Sequence, residues 1–206
     1  MNMKPNPTIH VEGLDLAGKS TVCRYLVAKS GAQHRNNTLL SSSPIHVQAE
    51  LLRKRDLLDP AGLGWIYYGC MLFDLENYVV PDAPVVQDST ILLRSIAYHE
   101  VFGDRALAAK FRMLLPRHPR FAYSCVLVAS DEVRLSRLEG RCSRHNDNPE
   151  DFLIRRDPAG FHEMERILVE TAREHFGAET IDTSFLEQEG EKDRVADLIL
   201  EKAHVI

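Results

Sequence analysis

The sequence predicts an α/β fold, a three-layer α/β/α arrangement around a five-stranded parallel sheet with a small lid, and three observations predict it. Short strand-like runs alternate with stretches of helical period along nearly the whole chain, the pattern of a parallel sheet with helices packed on it. One run, "AYSCVLVA", is apolar, valine-rich and of strand length, as an interior parallel strand buried on both faces should be. Third, the fragment "EGLDLAGKST" follows an apolar-leaning run and opens a helical stretch, so it reads as a strand, a tight turn and a helix in succession.

The elements follow in order. The first strand is expected at about Thr8 to Glu12, with a helix from Lys19 towards Ser30. A second strand is expected over Thr38 to Ser41, closed by the turn-like "SSSP", and then helices in "HVQAELLRKRD" and "GWIYYGCMLFDLENYVV". "APVVQDS" reads as the third strand, followed by "ILLRSIAYHEVF" and "RALAAKFRMLL", whose apolar residues recur every three or four positions. After the valine-rich fourth strand, "DEVRLSRLEGR" opens on an N-cap candidate at Ser130 or Asp131. "AGFHEMERILVETAREHF" is long and amphipathic, and a brief strand near "ETID" and a helix in "KDRVADLILEKA" complete the series. Between the two helices after strand four, "CSRHNDNPEDFLIRRDP" is polar, marked by proline and rich in arginine. It reads as a lid over about residues 141–157, within a single domain spanning 1–206.

Composition narrows the function classes. The chain has 206 residues, 27% charged and 44% hydrophobic, with a formal charge of −5. That is an ordinary folded globule without the broad basic surface that drives non-specific nucleic-acid binding, so no nucleic-acid partner is expected. The opening "MNMKPNPTIH" has no apolar core of signal-peptide length, and no uncharged apolar run approaches a membrane span. A cytoplasmic protein without membrane contact is therefore expected. Cys23, Cys70, Cys125 and Cys142 show no CxxC pair and read as reduced thiols. Nine histidines, His99 and His145 among them, show no HExxH or similar spacing, so no zinc site is assigned.

Gly13, Gly18, Lys19 and Ser20 satisfy GxxxxGK[ST], the phosphate-binding loop of P-loop NTPases. The motif points to ATP, with residues Gly13, Leu14, Asp15, Leu16, Ala17, Gly18, Lys19, Ser20 and Thr21 forming its cradle. Glycines permit the backbone angles that turn successive N–H groups inward, and the helix that follows offers further unpaired N–H groups and a partial positive charge. Lys19 is expected at the terminal phosphates, Ser20 at Mg2+ and Thr21 at the innermost phosphate.

"HVEGLDLAGKST" resembles the opening of thymidylate kinases and of the related deoxynucleoside kinases. "TLLSSSP" lies where thymidylate kinases have an Arg-Glu-Pro turn, "VVQDSTILLRSIAYHE" resembles their strand-Asp-Arg segment, and "TIDTS" resembles their adenine-side loop. The resemblance implies transfer of the ATP γ-phosphoryl group to a small acceptor, with Mg2+, an arginine-bearing lid and pairing into a homodimer. It places Asp15 near the acceptor sugar or the metal, and Asp88 where it orients metal-bound water, ligates Mg2+ or acts as base. Arg141 and Arg144 are the candidates to cover the transferred phosphoryl, with Arg155 and Arg156 as further options, and Arg137 is the candidate to stack on adenine.

Three departures shape the acceptor side. Ser42 and Ser89 stand where thymidylate kinases use arginine, and Met71 stands where a thymine-contacting arginine is expected. Leu16 also fills a loop position at which some of those kinases carry arginine, while Arg94 is placed to compensate for one loss and Tyr98 follows it. Tyr67 and Tyr68, with Trp65 and Phe73 nearby, lie where the family stacks its acceptor base, although aromatics at that spacing also serve as plain core. The leading expectation is a nucleoside monophosphate kinase of the thymidylate-kinase type whose acceptor is a nucleotide or nucleotide-like molecule other than thymidylate. The alternatives are a kinase for a nucleoside or other hydroxyl compound, and a nucleotide-binding regulator without transfer activity.

Overall fold

The computed structural model describes residues 7–142 and 152–204. Its sheet is five-stranded, all parallel and ordered β2-β3-β1-β4-β5, built from β1 (Thr8–Glu12), β2 (Gln33–Asn36), β3 (Val85–Asp88), β4 (Tyr123–Val128) and β5 (Glu179–Asp182). β1 and β3 are buried along their whole lengths, as strands covered by helices on both faces must be.

The helices, in chain order, are α1 (Lys19–Ser30), α2 (Pro44–Lys54), α3 (Pro60–Asn77), α4 (Ile91–Val101), α5 (Arg105–Arg112), α6 (Asp131–Cys142), α7 (Leu153–Arg156), α8 (Pro158–Phe176) and α9 (Glu191–Lys202). Two apolar cores flank the sheet. One joins α1 and α9 through Val22, Leu26, Val195 and Ile199 to Ile9, Val11 and Val86; the other joins α3, α4, α5 and α8 through Met71, Leu92, Phe111 and Leu168. Caps fix where several helices begin. Asp59, Thr90, Asp104 and Asp157 each accept a backbone N–H from the first turn they precede, which satisfies donors a helix start would otherwise leave unpaired.

The second strand lies at Gln33–Asn36, not over Thr38 to Ser41. "QHRN" has no apolar signal because β2 is an edge strand, mostly exposed, whose ladder partners come from β3 alone. Beyond it the chain turns at Asn37, whose φ is 62°. Thr38 and Leu39 are buried for another reason: the Leu39 amide donates to the buried Asp74 carboxylate at 2.9 Å, anchoring this segment to α3. Most of the expected lid falls on 143–151, outside the described residues. Of its flanks, α7 packs into the core through Ile154, which is 3% exposed. No helix among the described residues is long and apolar enough to cross a membrane.

Candidate active site

The site lies beyond the carboxyl ends of β1 and β3, the edge at which open α/β sheets bind ligands. Glu12, the last residue of β1, is fully buried and uses both oxygens: Oε1 accepts the Gly13 amide at 3.0 Å and Oε2 the Thr90 amide at 2.9 Å. One carboxylate thus ties the start of the loop to the start of α4. Burial pushes its pKa up, but His10, Arg94 and Lys19 outweigh burial and hold it below the ordinary carboxylate value. Gly13 has a φ of 147°, and a Cβ there would sit 2.5 Å from the Leu127 carbonyl oxygen. Gly18 caps α1 with a φ of 87°, where a Cβ would meet Leu186 at 2.9 Å. Neither position admits a side chain without displacement.

Four successive loop carbonyls are held by side chains. Lys19 Nζ donates to Leu14 O at 3.0 Å, Arg134 Nη1 to Asp15 O at 2.9 Å, Arg137 Nη1 to Leu16 O at 2.8 Å and Thr183 Oγ1 to Ala17 O at 2.7 Å. In a trans peptide the N–H points opposite to its carbonyl. Arg134, Arg137 and Thr183 stand outside the cavity that Lys19 lines, so the carbonyls of Asp15, Leu16 and Ala17 face away from it. The Ala17 amide returns to Leu14 O at 3.3 Å, and the amides of Leu16 and Gly18 are turned the other way, an arrangement that can bind anions. Leu16 takes a left-handed φ of 67° within this turn while its side chain is buried, so it brings backbone but no cation to the cleft.

The braces are themselves fixed. Arg134 is fully buried, bonds Ala129 O at 2.9 Å, pairs with Glu165 and lies 4.9 Å over the Phe161 ring. Arg137 also donates to Thr183 O at 2.8 Å, and Thr183 Oγ1 donates to Val128 O at 2.9 Å. Loop, α6 and the turn after β5 therefore form one hydrogen-bonded unit.

A cavity of about 270 Å3 opens in front of this cradle. Asp15, Leu16, Gly18, Lys19, Ser20, Thr21, Asp88, Arg94 and Arg141 all line it, so most of the residues expected at the phosphates converge there, joined by Ser89, Asn36, Asn37 and Arg53. Burial lowers the Lys19 pKa, Arg94 adds to that, and Asp15, Glu12 and Asp88 oppose it. Burial raises the Asp88 pKa, with Lys19 opposing and Glu12 reinforcing the rise. Asp15 is also penalised by burial, yet Arg94 Nη2 at 3.0 Å from its Oδ2, helped by Lys19, brings its pKa down to about 2. Ser20 and Asp88 are oxygen donors that both line one small cavity. That fits a hard ion such as Mg2+, which takes few protein ligands and completes its shell with water and phosphate oxygens.

A second cavity, about 980 Å3, adjoins the first and shares Asp15, Asn37, Arg53 and Arg94 with it. Tyr67, Tyr98, His46, Glu50, Ser95 and His99 supply its polar groups, and Leu14, Leu63, Ile91, Phe161 and Met164 much of its apolar wall. Tyr67 Oη donates to Glu50 at 2.6 Å, and Arg53 bonds the same carboxylate at 2.9 Å.

Other residues expected here lie elsewhere. Met71 is completely buried in the α3–α4 core, and Tyr68 packs edge-on against Phe111 at 5.4 Å. Ser42 is exposed and lines neither cavity. Gly13 and Ala17 shape the loop from behind. Arg155 pairs with Glu139, and Arg156 lies over Phe152; Arg144 and His145 lie outside the described residues. Ser89 has a φ of 63°, is buried, donates to Asp88 at 3.4 Å and lines the cavity with a hydroxyl where the resemblance to thymidylate kinases leads one to expect an arginine. Sequence reasoning missed Glu12 and Arg134. The signal each left was a charge at a position due for burial, Glu12 closing an apolar strand and Arg134 one turn before Leu138 on α6.

Similarity to solved structures runs over nearly the whole chain. Deoxyadenosine kinase from M. mycoides, bound to the product dCMP, superposes with a TM-score of 0.63 at 17% identity, covering 96% of this chain and 98% of that one. The chain has a deoxynucleoside-kinase-like P-loop kinase fold. YorR from Bacillus subtilis, in complex with phosphorylated GDP, gives a TM-score of 0.52 at 16% identity, with 96% of each chain covered. Shikimate kinase from Acinetobacter baumannii, in complex with shikimate, gives 0.51 at 16% identity over 95% of this chain and 91% of that one. No protein-family model and no curated protein matches the sequence. Proteins with these different ligands share this fold, so the fold by itself leaves the ligand open.

Proposed function

We propose that this protein is an ATP- and Mg2+-dependent phosphotransferase whose acceptor is a hydroxyl group of a nucleoside or a similarly sized, partly planar small molecule. The observation that carries the reading is the junction of the two cavities. A loop braced to present amides meets Asp15, Asp88 and Arg94 where a cavity large enough for a nucleoside begins.

Phosphoryl transfer asks for alignment and charge neutralisation. In this reading, Lys19, the loop amides and Arg141 hold the triphosphate, and Ser20 and Asp88 hold Mg2+, which neutralises charge on the phosphate oxygens. Asp15, kept ionised by Arg94, accepts a hydrogen bond from the acceptor. As the hydroxyl oxygen forms its bond to the γ-phosphorus and the bond to the ADP oxygen breaks, the hydroxyl proton passes to a carboxylate. Asp15, already hydrogen-bonded to that hydroxyl, takes it, while Asp88 stays ionised to hold Mg2+.

An uncharged acceptor is favoured over a monophosphate by the pairing of the two arginines that both cavities share. Arg94 sits on Asp15 and Arg53 on Glu50, Ser89 is buried and Ser42 lies outside the cavities. A phosphate entering here would have to compete with carboxylates already in place, and each charge-assisted contact forgone is worth about 1.5–3 kcal/mol. The thymidylate-kinase-type reading survives if Arg53 or Arg94 changes partner on binding. A coupled ADP-release screen over nucleosides, their monophosphates and sugar-like alcohols decides between them. Turnover of nucleosides alone is expected, turnover of monophosphates alone overturns the hydroxyl-acceptor reading, and tight ATP binding with no turnover of any acceptor leaves a regulator.

A further inference from the structure

Cys23, His34 and Asp88 come from three elements, α1, β2 and the end of β3, yet one potential ligand atom from each lies within 4.8 Å of the others. Cys23 is one turn along α1 from Lys19 and is 1% exposed. His34 stands on the edge strand with its side chain about half open, and its Nε2 is 3.8 Å from Asp88 Oδ2. The half-exposed imidazole thus stands between solvent and the two buried donors.

A thiolate, an imidazole and a carboxylate are the donors that borderline-soft ions such as Zn2+ select, whereas Mg2+ avoids sulfur. Tetrahedral zinc with bonds of about 2.0–2.3 Å places its ligand atoms roughly 3.3–3.7 Å apart. These three atoms therefore need to close by about 1.5 Å at most, leaving a fourth position for water. The surrounding charge is divided: Glu12 adds negative charge near both Cys23 and Asp88, and Lys19 adds positive.

We propose that Cys23, His34 and Asp88 form a binding site for a thiophilic divalent ion, Zn2+ being the best fit, and that its occupation withdraws Asp88 from phosphoryl transfer. As the metal–sulfur bond forms, the thiol proton leaves to solvent; His34 binds through a neutral ring nitrogen and Asp88 as the carboxylate. The binding site rests on geometry alone, while the inhibition rests on the kinase reading above.

Cobalt(II) reports on the site without any turnover, because a thiolate ligand adds a near-ultraviolet charge-transfer band and tetrahedral geometry strengthens the visible bands. Titrating the reduced full-length protein is expected to give both, with Zn2+ displacing the cobalt. Cys23→Ser should lose the charge-transfer band. His34→Gln, at a half-exposed position that leaves the core untouched, should bind about tenfold more weakly or worse. No charge-transfer band at saturating cobalt, or an unchanged one in Cys23→Ser, overturns the site. In Mg2+-supported ADP release, Zn2+ is expected to inhibit the wild type, with both variants resisting by about the factor of their lost affinity. Equal sensitivity in all three overturns the competition for Asp88. Should no acceptor support ADP release, the kinase reading fails and the cobalt spectra still decide the site.

Discussion

The phosphate cradle and the adjoining large cavity are built on opposite plans. In the cradle, four consecutive carbonyls are held by Lys19, Arg134, Arg137 and Thr183, and one fully buried carboxylate, Glu12, clamps two amides. Backbone geometry there is over-determined. In the large cavity, recognition falls to side chains such as Arg53, Glu50, Tyr67, Tyr98 and Arg94, two of them arginines already paired with carboxylates. A backbone cradle suits a donor end that is always a polyphosphate, while side chains can change without disturbing the main chain.

The sharpest way to break the comparison is Lys19→Ala. In the proposed reaction it removes the cation at the transferred phosphates, and kcat should fall by about 10²–10³ or more, with weaker ATP binding by calorimetry; a variant with intact turnover would remove the cradle from the mechanism. Arg134→Met tests whether the brace is structural. It leaves the partly buried Glu165 without its partner and frees Asp15 O and Ala129 O, so a loss of about 3 kcal/mol is expected in urea unfolding. Burial already raises the Glu165 pKa against the pull of Arg134. Removing Arg134 raises it further, so the variant should recover stability as pH falls and Glu165 takes up a proton.

Arg94→Met probes the border between the two regions. Losing one charge-assisted contact of about 1.5–3 kcal/mol should lower kcat/KM for the acceptor by roughly 10- to 100-fold while the KM for ATP changes little. Asp15 has a folded pKa of about 2, below its unfolded value, so its contribution to stability is full above about pH 4 and is lost as pH falls through about 2. The acid limb of the stability curve should shrink in Arg94→Met.

Asp88→Asn should separate function from stability. Turnover should drop, yet the fold should become more resistant to urea at neutral pH, because burial opposes the ionised carboxylate. The folded pKa of Asp88 lies above its unfolded value, so wild-type stability rises as pH falls through the folded value and the advantage of the asparagine variant disappears there. Tyr67→Phe is the mildest change. It removes one hydrogen bond to Glu50, worth about 0.5–1.5 kcal/mol, and should raise the acceptor KM a few-fold with no effect on ATP.

Much of the cradle was legible because local chemistry dictates it. Gly13, Gly18, Lys19 and Ser20 lie within one short turn, so spacing alone placed them together, and the strand and helix on either side follow from hydrophobic period. The acceptor side was harder to read. Met71 and Tyr68 carry the same residue types as a binding face, and only the packing of α3 against α4 turned them into core while leaving Tyr67 at the cavity. β2 went unread because an edge strand can be polar on both faces.

By itself the sequence determined the parallel α/β order and the GxxxxGK[ST] turn between β1 and α1, which rest on periodicity and on residues close together in the chain. Asp88 and Arg94, far from that turn in the chain, were reached only through the resemblance to thymidylate kinases. Tertiary structure alone decided which distant groups hold that loop, Arg134 to Asp15 O across 119 positions and Thr183 to Ala17 O across 166, and which arginines already have carboxylate partners. The physical reason is that an unsatisfied buried carbonyl or charge is costly wherever it lies. The group that satisfies it is chosen by proximity in space, which spacing along the chain does not encode.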